Sequence, residues 1–73
     1  QGIVDLIIST DQGLITADFK TDRITDEAAL QNRIARYRQP LGWYARAASA
    51  ILKQPVISSW LYFCDCRKAV QVS

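Results

Sequence analysis

From Leu30 onward, apolar positions fall at Leu30, Ile34, Tyr37, Leu41, Tyr44, Ala48 and Ile51, in alternating steps of four and three. That spacing draws a single stripe along about six turns of helix. Thr25 or Asp26 can cap its start, and Asp26 and Glu27 suit its positive end. Pro40 lies inside the stripe and removes a backbone donor, and Gly42 follows it. The pattern therefore predicts a break or kink near residues 38–40, with Pro40 in the first turn of a second helical piece. Gly2–Ser9 and Leu14–Lys20 read as strands, and Thr10-Asp11-Gln12-Gly13 between them is a turn signal that makes them a hairpin. Thr21–Thr25 is polar loop. Beyond Pro55, Val56–Cys64 is a strand, Asp65–Lys68 a turn and Ala69–Val72 a short last strand. The predicted order is β-β-α-β-β, an α+β unit with the helix on one face of a small sheet.

Seventy-three residues make one small domain with a modest core. Hydrophobic residues are 49% and charged residues 22%, which is globular composition and excludes a disordered tail. No apolar run approaches the ~20 residues that span a bilayer, and no signal-peptide pattern opens the chain. The chain starts at Gln1 already in strand-like sequence, so it reads as a piece of something longer. Cys64 and Cys66, one residue apart, are too close for an ordinary disulfide, and with no histidine a zinc site lacks ligands. They read as reduced strand thiols of a cytosolic protein, with a metal or redox Cys-x-Cys pair as the alternative.

The net charge of +2 hides an asymmetry. Residues 1–27 carry Asp5, Asp11, Asp18, Asp22, Asp26 and Glu27 against Lys20 and Arg23, while residues 28–64 carry Arg33, Arg36, Arg38, Arg46 and Lys53 with no acid. An acidic part beside a basic, aromatic-rich part is compatible with metal and phosphate chemistry, and equally with ordinary solvated charge on a helix.

Candidate chemistry concentrates in the hairpin. Asp5 interrupts an otherwise apolar strand, and Asp18 and Lys20, two apart, share a face. With a two-residue turn at Asp11-Gln12, paired positions sum to 23, and Asp5 faces Asp18 at a Cβ separation of ~4.5–5.5 Å. A three-residue turn would slip the register and put Phe19 opposite Asp5. Facing like charges weaken a hairpin unless a divalent cation lies between them. On that reading Asp18→Ala should leave the metal-free stability unchanged or slightly raised. Two carboxylates are hard ligands suited to Mg²⁺, and an adjacent lysine can offset developing charge. The same residues would also serve as the solvent face of an amphipathic hairpin.

The run Ala17-Asp18-Phe19-Lys20-Thr21-Asp22-Arg23, with Gly2-x-Val4-Asp5-Leu6-Ile7 upstream and Tyr37, Leu41, Tyr44 and Leu61-Tyr62-Phe63 downstream, resembles the PD-(D/E)xK nucleases. The similar subgroup is the RecB/AddA-type nuclease domain of UvrD/Rep-like helicases. The resemblance implies a restriction-endonuclease-like core of which residues 1–73 form one partial domain, with an upstream helical part absent. It implies Asp5 and Asp18 as metal ligands, the Phe19 carbonyl as a further ligand, Lys20 as the catalytic lysine and Tyr44 as the tyrosine lining the site. Thr21 and Asp22 would order the loop after the lysine. The family glutamine lies four residues before that tyrosine. Here Pro40 holds the position, and Gln39, five residues away, points about 140° off on an ideal helix. Gln39 reaches the site only if Pro40 breaks the helix.

The implied function is an Mg²⁺-dependent DNA exonuclease, with Mn²⁺ as an alternative ion, within an ATP-dependent helicase–nuclease that repairs double-strand breaks and processes DNA ends. Hydrolysis would use a metal-activated water. Arg33, Arg36 and Arg38, with Arg46 less well placed, are candidates for phosphate contact. Implied partners are DNA, the helicase portion of the same parent chain and a second helicase–nuclease subunit, in the cytoplasm and without a membrane. The alternative is a catalytically inactive, nuclease-like module for DNA binding or scaffolding. A third reading is an unrelated interaction domain anchored by Trp43 and Trp60. Alone, the fragment is expected to bind Mg²⁺ weakly and to degrade DNA poorly.

Overall fold

A computed structural model of the chain describes residues 6–73. Four strands and one helix follow in the order β1 (Leu6–Ser9), β2 (Leu14–Lys20), α1 (Glu27–Leu52), β3 (Val56–Phe63) and β4 (Lys68–Gln71). The strands form a single sheet in chain order. β1 and β2 are antiparallel, β2 and β3 parallel, and β3 and β4 antiparallel. The parallel pair needs a crossover, and α1 supplies it. The result is a small α+β unit with a mixed sheet.

The hairpin turn has two residues. Thr10 and Gly13 exchange backbone hydrogen bonds of 2.8 and 3.3 Å around Asp11-Gln12, and the Thr10 hydroxyl accepts from the amides of Gln12 and Gly13. The register therefore runs Leu6 to Ala17 through Ser9 to Leu14, pairs that sum to 23. Gly13 is required here for two reasons. Its φ is +147°, and a Cβ would lie 2.5 Å from the Pro55 carbonyl oxygen. That carbonyl accepts from the Leu14 amide at 2.8 Å, which ties the start of β2 to the start of β3.

Helix α1 starts where an acidic cap allows it. The Asp26 carboxylate accepts from the Ala29 amide at 2.8 Å, and Glu27 occupies the first turn. It ends at Lys53 in the left-handed region. The expected break at residues 38–40 does not occur, and α1 runs through Pro40 as one helix of 26 residues. Packing explains the correction. Ile34 and Leu41, on either side of Pro40, are both buried on the sheet with Leu30, Leu61 and Phe63. A break would pull Leu41 out of line, and a buried leucine is worth about 1.5–3 kcal/mol, comparable with the ~3 kcal/mol cost of a proline. The carbonyl that loses its donor belongs to Arg36, an exposed residue within reach of water. A second difference concerns the far end of the stripe. Leu30, Ile34 and Leu41 are buried, but Tyr44 and Ile51 are exposed.

Alternation sorts the sheet into two faces. Leu14, Thr16, Asp18 and Lys20 of β2 and Ser59, Leu61 and Phe63 of β3 are buried on the helix side. Ile15, Ala17 and Phe19 point to the opposite face, where the Phe19 ring meets Tyr62 edge-on at 5.9 Å. Cys64 and Cys66 are free thiols in the turn after β3, and Cys66 packs partly against the core. Among the described residues no helix is long and apolar enough to cross a membrane.

Candidate functional site

β2 is an inner strand, and its alternation turns two charged residues into the covered side of the sheet. Asp18 is 3% exposed and Lys20 8%. Each lies in register with a fully buried residue of the parallel neighbour, Leu61 and Phe63. Burying single charges there would cost several kcal/mol each, so they must be compensated. Lys20 Nζ lies 2.9 Å from Asp18 Oδ2. Further along the same face, the Thr16 hydroxyl on β2 donates to the Ser59 hydroxyl on β3 at 3.0 Å.

The helix closes over this pair with Tyr37. Lys20 Nζ sits 4.2 Å from the centroid of the Tyr37 ring, a cation–π contact in a dry setting. The Tyr37 hydroxyl donates to Asp22 Oδ2 at 2.7 Å. Arg33 Nε lies 3.0 Å from the same oxygen, as a charge contact without hydrogen-bond alignment. Burial first, then the hydrogen bond to Asp22 and its charge, push the Tyr37 phenol above its ordinary pKa, with Arg33 and Arg36 opposing. Tyr37 is therefore a neutral donor at physiological pH.

The other candidates fall elsewhere. Asp5 lies outside the described residues. Phe19 follows Asp18 on β2, with its ring on the opposite face. Tyr44 lines an open apolar groove of about 370 Å³ with Ile7, Ala47, Ala48, Ile51 and Leu52. Gln39 is exposed on the unbroken helix, so the rearrangement that would carry it to the site is not made. Arg33 is held by Asp22, whereas Arg36, Arg38 and Arg46 are exposed. The structure thus gathers Asp18, Lys20, Asp22, Arg33 and Tyr37. Sequence reasoning had Tyr37 on the apolar stripe and in the motif of the resemblance but gave it no role at the site, because its partners Asp22 and Lys20 lie on other elements.

The donor chemistry suits a small divalent cation. Asp18 offers hard oxygens of the kind Mg²⁺ takes, and its carboxylate already sits against one positive charge. Among the described residues no three of His, Cys, Asp and Glu gather into a cage.

No family model matches the chain. Among curated proteins, it is 37% identical over 75 residues to the A subunit of the ATP-dependent helicase/nuclease of Oceanobacillus iheyensis, with 99% of this chain and 6% of that protein covered. The chain is a homologue of one segment of that protein. The corresponding helicase/nuclease protein of Carboxydothermus hydrogenoformans is 36% identical over 72 residues, again with 99% of the chain and 6% of the protein covered. That of Desulforudis audaxviator is 42% identical over 64 residues, covering 85% of the chain and 5% of the protein. The chain therefore spans only about 6% of the length of the helicase/nuclease proteins it matches.

Proposed function

We propose that this chain is part of the nuclease domain of an ATP-dependent helicase–nuclease of PD-(D/E)xK type that degrades DNA ends during repair. The observation that carries the reading is the Asp18–Lys20 pair, buried on an inner strand under a helix, within a segment homologous to helicase/nuclease proteins. An exposed pair would need no further account, but a buried pair of charges contributes little to stability compared with apolar residues of the same size. A functional use explains its presence.

In this reading Asp18 and Asp5 hold an Mg²⁺ ion, with the Phe19 carbonyl as a further ligand. When bound, the ion would lower the pKa of its water and neutralise a phosphate oxygen. Lys20 would donate to the phosphate oxygen on which charge develops, and the dry environment under Tyr37 would strengthen that interaction. Exposed Arg36 and Arg38 would hold the DNA backbone as sequence-independent charge contacts.

The test is Asp18→Asn and Lys20→Ala in the full-length helicase–nuclease. Both should abolish DNA degradation while ATP-driven unwinding continues. Degradation at the parent rate in either variant would reject the assignment. A parent protein that binds and unwinds DNA but never degrades it would favour the inactive, DNA-binding module instead.

A further inference from the structure

Lys20 has two close neighbours of different kinds, and only one of them is also a candidate ligand for a cation. Its ammonium is 2.9 Å from Asp18 Oδ2 and 4.2 Å from the Tyr37 ring centroid. Were Asp18 to give its carboxylate to a divalent ion, the ring face would be what remains for the buried ammonium. We propose that Tyr37 is a positioning residue, the second seat that lets Lys20 release Asp18 to a divalent cation without leaving the site. This inference rests on the nuclease reading above and adds a residue to it.

The geometry prepares Tyr37 for that task. Its hydroxyl donates to Asp22 at 2.7 Å, which fixes the ring over Lys20 and adds electron density to the ring face. Asp22 is in turn held by Arg33, one helical turn before Tyr37. The ring, the loop after β2 and the helix are thus locked together around the lysine. A ring whose hydroxyl is already engaged cannot drift towards the metal. Because the phenol stays protonated, it adds no negative charge that would capture the ammonium permanently. The ring helps more in the metal-loaded state than in the empty one, because there the ammonium has lost its carboxylate.

The experiment is a Mn²⁺ titration of the nucleotide-free, full-length protein, by calorimetry or by the electron paramagnetic resonance of free Mn²⁺. The proteins are the parent, Tyr37→Phe, Tyr37→Leu, Lys20→Met and the Lys20→Met/Tyr37→Leu double variant, with Asp18→Ala to identify the site. Tyr37→Leu should weaken Mn²⁺ binding about fivefold to tenfold, the difference between a weak and a desolvated cation–π contact. Tyr37→Phe, which keeps the ring, should recover most of that loss. In the Lys20→Met background Tyr37→Leu should have no effect, because no ammonium needs a second seat. An equal loss in both backgrounds would show that Tyr37 merely supports the fold, and no loss in the Lys20 background would show that it does nothing; either overturns the proposal. Mn²⁺ binding indifferent to Asp18→Ala would instead overturn the metal-site reading itself, and the role of Tyr37 with it.

Discussion

Replacing Asp18 by alanine strips one charge from a buried pair. Asp18 and Lys20 are 3% and 8% exposed and 2.9 Å apart. Removing one partner of such a pair costs about 3–5 kcal/mol, because the other charge stays buried without compensation. The Tyr37 face remains over Lys20 and offsets about 1 kcal/mol of that. A net loss of about 2–4 kcal/mol is expected, against a total of roughly 4–11 kcal/mol for a domain of this length. Adding Lys20→Met removes the stranded ammonium, and the double variant should return to within about 1 kcal/mol of the parent. Urea unfolding of the chain, followed by far-ultraviolet circular dichroism, reads both effects. The hairpin considered alone implies the opposite sign, since alanine would relieve repulsion from Asp5; the buried lysine reverses it. An Asp18→Ala chain as stable as the parent, or a double variant no better than the single one, would refute the reasoning.

Two further outcomes follow from the helix. Pro40→Ala restores a donor for the Arg36 carbonyl inside an unbroken helix, and should raise stability by about 1–2 kcal/mol after allowing for the looser unfolded chain; an unchanged urea midpoint would show that the proline costs nothing where it stands. The folded state keeps the Tyr37 proton beyond the pH at which the unfolded chain releases it, so stability should hold below about pH 10 and fall as pH rises through the raised phenol pKa. Tyr37→Phe should flatten that alkaline decline, and an identical slope in the variant would assign it to other groups.

Local chemistry was legible in the sequence wherever neighbours along the chain decide the outcome. A two-residue turn sets the hairpin register, Asp26 caps the helix, and alternation puts Asp18 and Lys20 on one face. What was not legible depends on distant partners. The penalty of Pro40 is a local quantity, but burial of Leu41 against β3 outweighs it. The apolar stripe continues to Ile51, yet the sheet covers it only as far as Leu41, leaving Tyr44 beside an open groove. The contact of Tyr37 with Asp22 and Lys20 joins a loop, a strand and a helix, and no spacing along the chain encodes it.

The parallel pairing of β2 with β3 also sets the order in which the chain can assemble. The β1–β2 hairpin closes over two residues, an event of about 1–10 μs, and the helix forms faster still. The β2–β3 ladder joins residues as far apart as Thr16 and Ser59, 43 positions along the chain, and must wait for the crossover. Asp18 and Lys20, neighbours on one strand, can meet in water early. They lose their water only when Leu61, Phe63 and the helix arrive together. Desolvation of the two charges is thus deferred to docking, the slowest step, and the pair belongs kinetically to the crossover rather than to the hairpin that carries it.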